Sequence, residues 1–444
     1  MRLALFTDTL GDVNGVSRFL TTLAAYAHRN NLPLLVLTST RLPIPALPTI
    51  TNIPPRFAAP MPRYPQLQLA LPSRRALAAA TDAFQPTHIH VSTPGPVGLL
   101  GRAYAIKRRL PLGATYHTDF PAYIHHLFDH ESLTAITTTA MRWFYTPART
   151  IFSRSADYAT RLGALGFPES RLARLRPGID LDLFSPPSPG SAGEGARRSG
   201  RTNEGALLIS PSSKPPSPRP SPAEPGEGGS QQTLQLLYTG RISVEKNLPF
   251  LASFWPRTHA ALRMSGINAT LTITGEGPYE PAMRAALVHH GARFTGVIRG
   301  RALADLYRSA DLFLFPSTTD TLGQAVMEAQ ACGAPCLISP SGGPREITIP
   351  NQSSLVLPIR AAAWHNAILQ LAADSDRRAA MSRAAAVNGA CYPFAASAEH
   401  FWARHIEPRA EARRRSTTGA LCPEGLGHDG STCHTVPAHP HRAR

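Results

Sequence analysis

Two carboxylates eight positions apart, Asp320 and Glu328 in the stretch TDTLGQAVMEAQACG (319–333), are the first residues whose spacing could do chemistry. On one continuous helix they would stand about 12 Å apart at 1.5 Å rise per residue, too far to share a proton. The apolar run DLFLF (311–315) upstream and the helix-stopping Gly333 downstream suggest a different arrangement of strand, loop PSTTDT, and helix QAVMEAQAC, with Leu322-Gly323 at the helix start. Asp320 then precedes the helix and Glu328 lies a little over one turn inside it. Such a unit suits binding two parts of one ligand better than exchanging a proton.

Three other loops follow apolar runs in the same way. In TGRISVEKNLPFL (239–251), Arg241 and Lys246 are close enough to reach one diphosphate, the arginine as a planar fork and the lysine as a mobile point charge. A solvated pair, with Lys246 bridging Glu245, is the alternative. In TITGEGPYE (272–280), Gly275 and Gly277 frame an acid. In TLGDVNGVSRFL (9–20), glycines including Gly15 let backbone approach a ligand, and the following helix offers unpaired N–H groups to an anion. This last loop lacks the full glycine spacing of a dinucleotide fingerprint. His88 and His90, two apart on one strand, read as core or surface histidines, and His125-His126 as a helix rim. Cys332 and Cys336 read as packing residues.

The elements that must position these loops alternate. In residues 1–185 the strands RLALFT (2–7), PLLVLTS (33–39), THIHVS (87–92) and GATYHT (113–118) are separated by amphipathic stretches. In the second half LQLLYTGR (234–241), ATLTITGEGP (269–278), RFTGVIRG (293–300), DLFLFPS (311–317) and APCLIS (334–339) repeat the logic. The class is α/β: two doubly wound, Rossmann-like domains facing a cleft, with ligands at the strands' carboxyl ends. We expect a first domain over 1–185, a disordered Pro/Ser/Gly-rich linker over 186–233, and a second domain over 234–385. A helix over 386–408 then crosses back, and a disordered basic tail occupies 409–444. Cys422, His428, Cys433 and His434 in the tail match no common zinc spacing.

The chain of 444 residues is 43% hydrophobic and carries a net charge of +16, of which residues 1–185 contribute +9 from 19 basic and 10 acidic side chains. Such a balance points to anionic partners: lipid headgroups, phosphorylated substrates or nucleic acid. Arg102, Lys107, Arg108 and Arg109 cluster around one helix, suggesting peripheral contact with an anionic membrane. No run of apolar residues is long enough to span a bilayer and no signal peptide is evident, so a cytoplasmic protein is expected. Five cysteines read as free thiols.

GRISVEKN, TGEGP, DLFLFPSTTDTLGQAVMEAQACGAP and RPGIDLDLFSP (176–186), in this order, resemble the retaining glycosyltransferases of family 4, which have the GT-B fold. TDTLGQAVMEAQ with YHTDFPAYI is most similar to members acting on lipids, the GDP-mannose-dependent mannosyltransferases and the sulfoquinovosyl-diacylglycerol synthase group. The resemblance implies that Asp320 holds hydroxyls of the donor sugar and Glu328 the nucleotide ribose, while N–H groups near Leu322 and Gly323 face phosphate. It implies that Arg241 and Lys246 neutralise the leaving diphosphate, that Gly15 lies beside the phosphates and acceptor, and that His117 sits near the sugar. Gly275, Gly277 and Val297 fall on the nucleotide-sugar side. The implied substrates are a GDP- or UDP-linked sugar donor and a lipid or glycan acceptor, with no metal, no other cofactor and no nucleic acid. Two departures stand out: the family usually has Glu at Asp320, and SADYATRLGALGF (155–167) lacks residues where a strand and small-residue loop are expected. A nucleotide-sugar epimerase or hydrolase shares the architecture, and a non-catalytic anion- or membrane-binding protein follows if that gap disables the donor site.

Overall fold

Short, fully buried apolar runs set the architecture, because a strand covered by helices on both faces has no polar side to alternate with. The structure, a computed structural model, describes residues 1–185 and 233–406 except 13, 62, 63, 118, 119, 122, 123 and 125–129, and at 60–68 only the backbone. The linker insert at 186–232, the tail beyond 406, His125-His126 and the tail's cysteines and histidines therefore lie outside the described residues. The described residues pack as one unit.

The first lobe holds a seven-stranded parallel sheet in the order β3-β2-β1-β6-β7-β8-β9. Its strands are β1 (Leu3–Phe6), β2 (Leu34–Thr38), β3 (Ile50–Asn52), β6 (His88–Val91), β7 (Leu112–Tyr116), β8 (Thr150–Ser153) and β9 (Leu172–Arg174). An antiparallel hairpin, β4 (Pro55–Met61) with β5 (Tyr64–Pro72), stands apart from it. The second lobe holds a six-stranded parallel sheet in the order β12-β11-β10-β13-β14-β15. These strands are β10 (Leu234–Thr239), β11 (Ala269–Thr274), β12 (Ala292–Gly296), β13 (Leu312–Phe315), β14 (Cys336–Ile338) and β15 (Ser354–Val356).

Each sheet reverses its order once, at β1/β6 and at β10/β13, and a crevice opens at such a reversal because consecutive connections leave toward opposite faces. The loops that carry Gly15, Arg241, Lys246 and Asp320 are the loops of these two crevices. The helix Gly15–Arg29 begins where Asn14 accepts a 2.8 Å hydrogen bond from the Ser17 N–H, a side-chain cap that fixes its start. The Ser17 hydroxyl donates to the Leu10 carbonyl at 2.5 Å and ties that helix to its loop.

The supposed gap near residue 157 is absent. β8 is formed by TIFS at 150–153, immediately before the loop Arg154-Ser155, and pairs with both β7 and β9. The edge of the sheet is intact, which removes the premise for a disabled donor site. The helix that returns to the first lobe spans Phe394–Ile406 and begins later than expected, because Ser375–Ala390 is a separate helix packed on Gln324–Ala331. Phe394, Ala398 and Phe401 of the returning helix share a core cluster with β1, β2 and the 15–29 helix. Cys332 and Cys336 are buried free thiols; burial pushes both up, Cys332 to about 12. Among the described residues no helix is long and apolar enough to cross a membrane.

Candidate active site

The second lobe's wall of the cleft is built by interlocked turns. Gly240 (φ +147) and Gly275 (φ +133) adopt backbone that side chains rarely tolerate, and a Cβ on Gly275 would lie 1.9 Å from the Gly240 carbonyl oxygen. Likewise a Cβ on Gly277 would lie 2.3 Å from the Ile242 carbonyl oxygen. These two glycines therefore serve first to seat the 240–246 loop, and Val297 follows Gly296, whose carbonyl accepts from the Gly275 N–H at 2.9 Å. The Arg241 carbonyl accepts from the Tyr238 hydroxyl at 2.9 Å.

Two further bonds stitch the loop after β10 to the loop after β13. Asn247 Nδ2 donates to the Pro316 carbonyl at 3.2 Å, and the Thr319 hydroxyl donates to the Glu245 carbonyl at 3.0 Å. Lys246 Nζ and Asp320 Oδ2 are 2.9 Å apart, a part-buried ion pair. Lys246 therefore bridges to Asp320 and not to Glu245.

Gly323 (φ +84) turns the chain into the 324–331 helix, whose first N–H groups have no partner within the helix. A Cβ there would meet Pro344 Cγ at 2.8 Å; one on Gly343 would meet the Thr321 carbonyl oxygen at 2.3 Å, and Leu322 is buried. The turn SGGP (341–344) thus clamps the helix start, a contribution the sequence reading did not single out. Its signal was the adjacent glycine pair after a buried strand.

Glu328 is completely buried. Its Oε2 accepts from Arg18 on the opposite lobe and from the Tyr307 hydroxyl at 3.1 Å, and Tyr307 in turn lies 2.5 Å from the Thr239 hydroxyl. Its Oε1 has no hydrogen-bond partner. Burial works against the charge of Arg18, but the Glu328 carboxylate and Tyr307 outweigh it and hold the guanidinium above its ordinary value. Arg18 and Tyr307 were not foreseen. Arg18 follows the Gly15 loop by one turn, and Tyr307 sits in an otherwise ordinary amphipathic helix, Gly300–Ser309.

The first lobe's wall brings Gly15 against this helix, with the position of a Gly15 Cβ 3.6 Å from Gln324 Cβ. Asp8 caps the helix Pro96–Arg108, accepting from the Val97 N–H and the Thr93 hydroxyl at 2.7 Å each. Burial pushes the Asp8 carboxyl up in spite of these bonds. Burial also raises Asp12 to about 6, opposed by Arg241 across the cleft and aided by Asp8.

His117, at the end of β7, is 7% exposed and its Nε2 has no partner. Burial, then the charge of Arg154, pushes it well below the ordinary histidine range, so it is neutral at neutral pH. Thr118 beside it lies outside the described residues. His90 belongs to the core: its Nδ1 is 2.9 Å from His405 Nε2 and its Nε2 is 2.9 Å from the Thr115 hydroxyl. Among the described residues no group of three or more His, Cys, Asp and Glu side chains could hold a metal ion.

Comparison with known proteins finds matches for both lobes. Residues 13–183 match the model of glycosyltransferase family 4 and residues 233–374 that of glycosyl transferases group 1. A GDP-mannose-dependent alpha-mannosyltransferase of Mycobacterium tuberculosis is 25% identical over 374 residues, covering 81% of this chain and 84% of that protein. The sulfoquinovosyl transferase of Arabidopsis thaliana is 26% identical over 285 residues, 64% of this chain but only about half, 48%, of the plant protein. Anabaena HepE, solved with UDP and glucose, superimposes with a TM-score of 0.63 at 15% identity over 92% of this chain and 100% of its own. WaaG, a glycosyltransferase involved in lipopolysaccharide biosynthesis, does so with a TM-score of 0.62 at 14% identity over 91% and 99%.

Proposed function

The chain belongs to the family 4 glycosyltransferases with the GT-B fold, and from that premise we propose that it transfers a hexose, with retention, from a GDP- or UDP-linked donor to a lipid or glycan acceptor. One observation carries the reading: Arg241, Lys246 and Asp320 stand on the two loops at the second lobe's sheet reversal, at the start of the 324–331 helix that carries the buried Glu328.

In this reading the bond between the anomeric carbon and the diphosphate oxygen breaks as a carbon–oxygen bond to the acceptor forms on the same face. Negative charge grows on the departing diphosphate. Arg241, Lys246 and the helix N-terminus stabilise it as fixed positive charge, which asks for no metal ion. The acceptor's proton passes to the departing phosphate, so no second carboxylate is needed as a base. Lys246 exchanges Asp320 for phosphate when donor enters, freeing the carboxylate for the sugar's hydroxyls. The unpartnered Oε1 of Glu328 is the acceptor a pair of ribose hydroxyls requires.

The names of the relatives, a GDP-mannose-dependent mannosyltransferase and a sulfoquinovosyl transferase, favour mannose and sulfoquinovose as the sugar. Incubation of the full chain with radiolabelled GDP-mannose and a panel of UDP-sugars, in the presence of membrane lipids, tests the reading. Transfer giving the donor's anomeric configuration supports it. Absence of both transfer and donor hydrolysis from every donor overturns it. Arg241→Ala is expected to lower turnover at least roughly a hundredfold.

A further inference from the structure

The transfer reaction leaves Arg154, at the cleft, without a task. It follows β8 directly and is 5% exposed, yet among the described residues no carboxylate pairs with it. Its guanidinium makes one long contact, 3.5 Å from Nη2 to Gln324 Oε1, and lies over the Phe19 ring at 5.0 Å from the centroid. Burial pulls it down to about 10, which still leaves it charged at neutral pH.

An arginine carries five N–H donors in a planar fork, and a buried charge without a partner is costly to keep. His117, whose Nε2 is also unpartnered, faces the same Phe19 ring with centroids 6.4 Å apart. Two buried groups able to donate to an anion therefore converge beside the start of the 324–331 helix, from the lobe opposite Arg241 and Lys246. The diphosphate already has those two cations on its own lobe.

Resting on the glycosyltransferase reading, the geometry points to a second oxyanion subsite at Arg154 and His117, which receives a carboxylate, sulfonate or phosphate carried by the transferred sugar or by the acceptor. A fork of N–H donors matches the paired oxygens of such groups. A neutral hexose or acceptor offers these N–H groups hydroxyl oxygens but leaves the buried guanidinium charge without a counter-charge.

Binding measurements on the full chain separate the sources. Thermal shift with UDP and GDP first identifies the nucleotide; no shift with either counts against the glycosyltransferase reading, independently of Arg154. The donor arm compares UDP-glucuronate with UDP-glucose, or GDP-mannuronate with GDP-mannose, in the wild type and in Arg154→Gln. The acceptor arm compares glycerol 3-phosphate with glycerol on the nucleotide-saturated protein. A tenfold or greater loss in Arg154→Gln, confined to the charged member of either pair, supports the subsite and tells which substrate brings the anion. Affinity for the nucleoside diphosphate alone is expected to change less than twofold. A loss equal for UDP alone, or no loss in either arm, overturns the inference. Removing an unpaired buried charge should leave the ligand-free melting temperature equal or higher; a marked fall would make Arg154 a structural residue and also overturn it. Arg154→Lys, which keeps the charge without the fork, should lose part of the discrimination.

Discussion

At the scale of single residues, Glu328 offers the sharpest test of how the nucleotide is held. One oxygen of this fully buried carboxylate is satisfied by Arg18, itself partly exposed, and Tyr307, and the other by nothing. A hydrogen bond to a charged group contributes about 1.5–3 kcal/mol, so two ribose hydroxyls sharing Oε1 should matter roughly ten- to a hundredfold. Titration with UDP or GDP and with the matching 2′,3′-dideoxynucleotide is expected to show that preference in the wild type and its loss in Glu328→Gln. Equal affinities for the two nucleotides in the wild type would count against the assignment. Asp320 and Glu328 were legible because their spacing across a strand-loop-helix unit is itself the signal. Arg18 and Arg154 were not, since what distinguishes each is a partner, or the lack of one, supplied from the other lobe.

At the scale of elements, the helix that carries Glu328 depends on a glycine far along the chain. A Cβ at Gly389 would lie 2.3 Å from the Ala331 backbone nitrogen, so the 375–390 helix reaches the 324–331 helix only because no side chain intervenes. The contact is sealed by Asn388 Nδ2, which donates to Gln330 Oε1 and to the Ile347 carbonyl at 2.8 Å each. Gly389→Ala must push the two helices apart, at a cost of about 1–3 kcal/mol by analogy with other overpacked cores. Chemical denaturation should register that loss, together with weaker nucleotide binding because Glu328 moves with its helix; an unchanged midpoint would mean the helices separate freely. The strands β1, β2, β6, β7 and β10 to β14 were readable from their apolar runs bounded by glycine and proline, whereas the three-residue β3, β9 and β15 are too short to carry such a pattern. The β4–β5 hairpin was not, because prolines at 55, 60, 65 and 72 argue against strand, and it stands outside the main sheet where missing donors cost little. β8 was missed because a strand and small-residue loop were expected within 155–167, after Ala156-Asp157, whereas TIFS precedes them.

At the scale of the whole molecule, the charge asymmetry and the returning helix each carry a consequence. Of the four cations expected to meet a membrane, Arg102 stacks on Trp143 at 3.9 Å and Arg108 pairs with Asp82 at 2.7 Å, while Lys107 and Arg109 are exposed. Leu99 and Ile106 beside them, and Leu133, Ile136 and Trp143 on the helix Glu131–Tyr145, are exposed apolar side chains. A basic and apolar face of this kind should bind anionic vesicles more than neutral ones, and Ile136→Asp should weaken cosedimentation without lowering the melting temperature. Sedimentation indifferent to anionic lipid content would refute it. Near its end the returning helix sets His405 against His90 of β6, and both buried rings pack on Phe401, with centroids 4.5 and 4.9 Å away. Burial first, and for His90 also the nearby His405 and His117, lowers both, His405 to about 4. A base whose folded value is depressed binds fewer protons in the native state, so stability falls as pH drops below the unfolded value of about 6.5 and goes on falling toward 4. The slope approaches about 1.4 kcal/mol per pH unit for each such histidine. The melting temperature is therefore expected to drop steeply between pH 6.5 and 4.5. His405→Phe, which keeps a ring against Phe152 and Phe401, should flatten that drop while costing stability at pH 7.5 through the unpaired His90 Nδ1. A wild-type slope retained in the variant would locate the acid sensitivity elsewhere than at the junction of the returning helix with the first lobe.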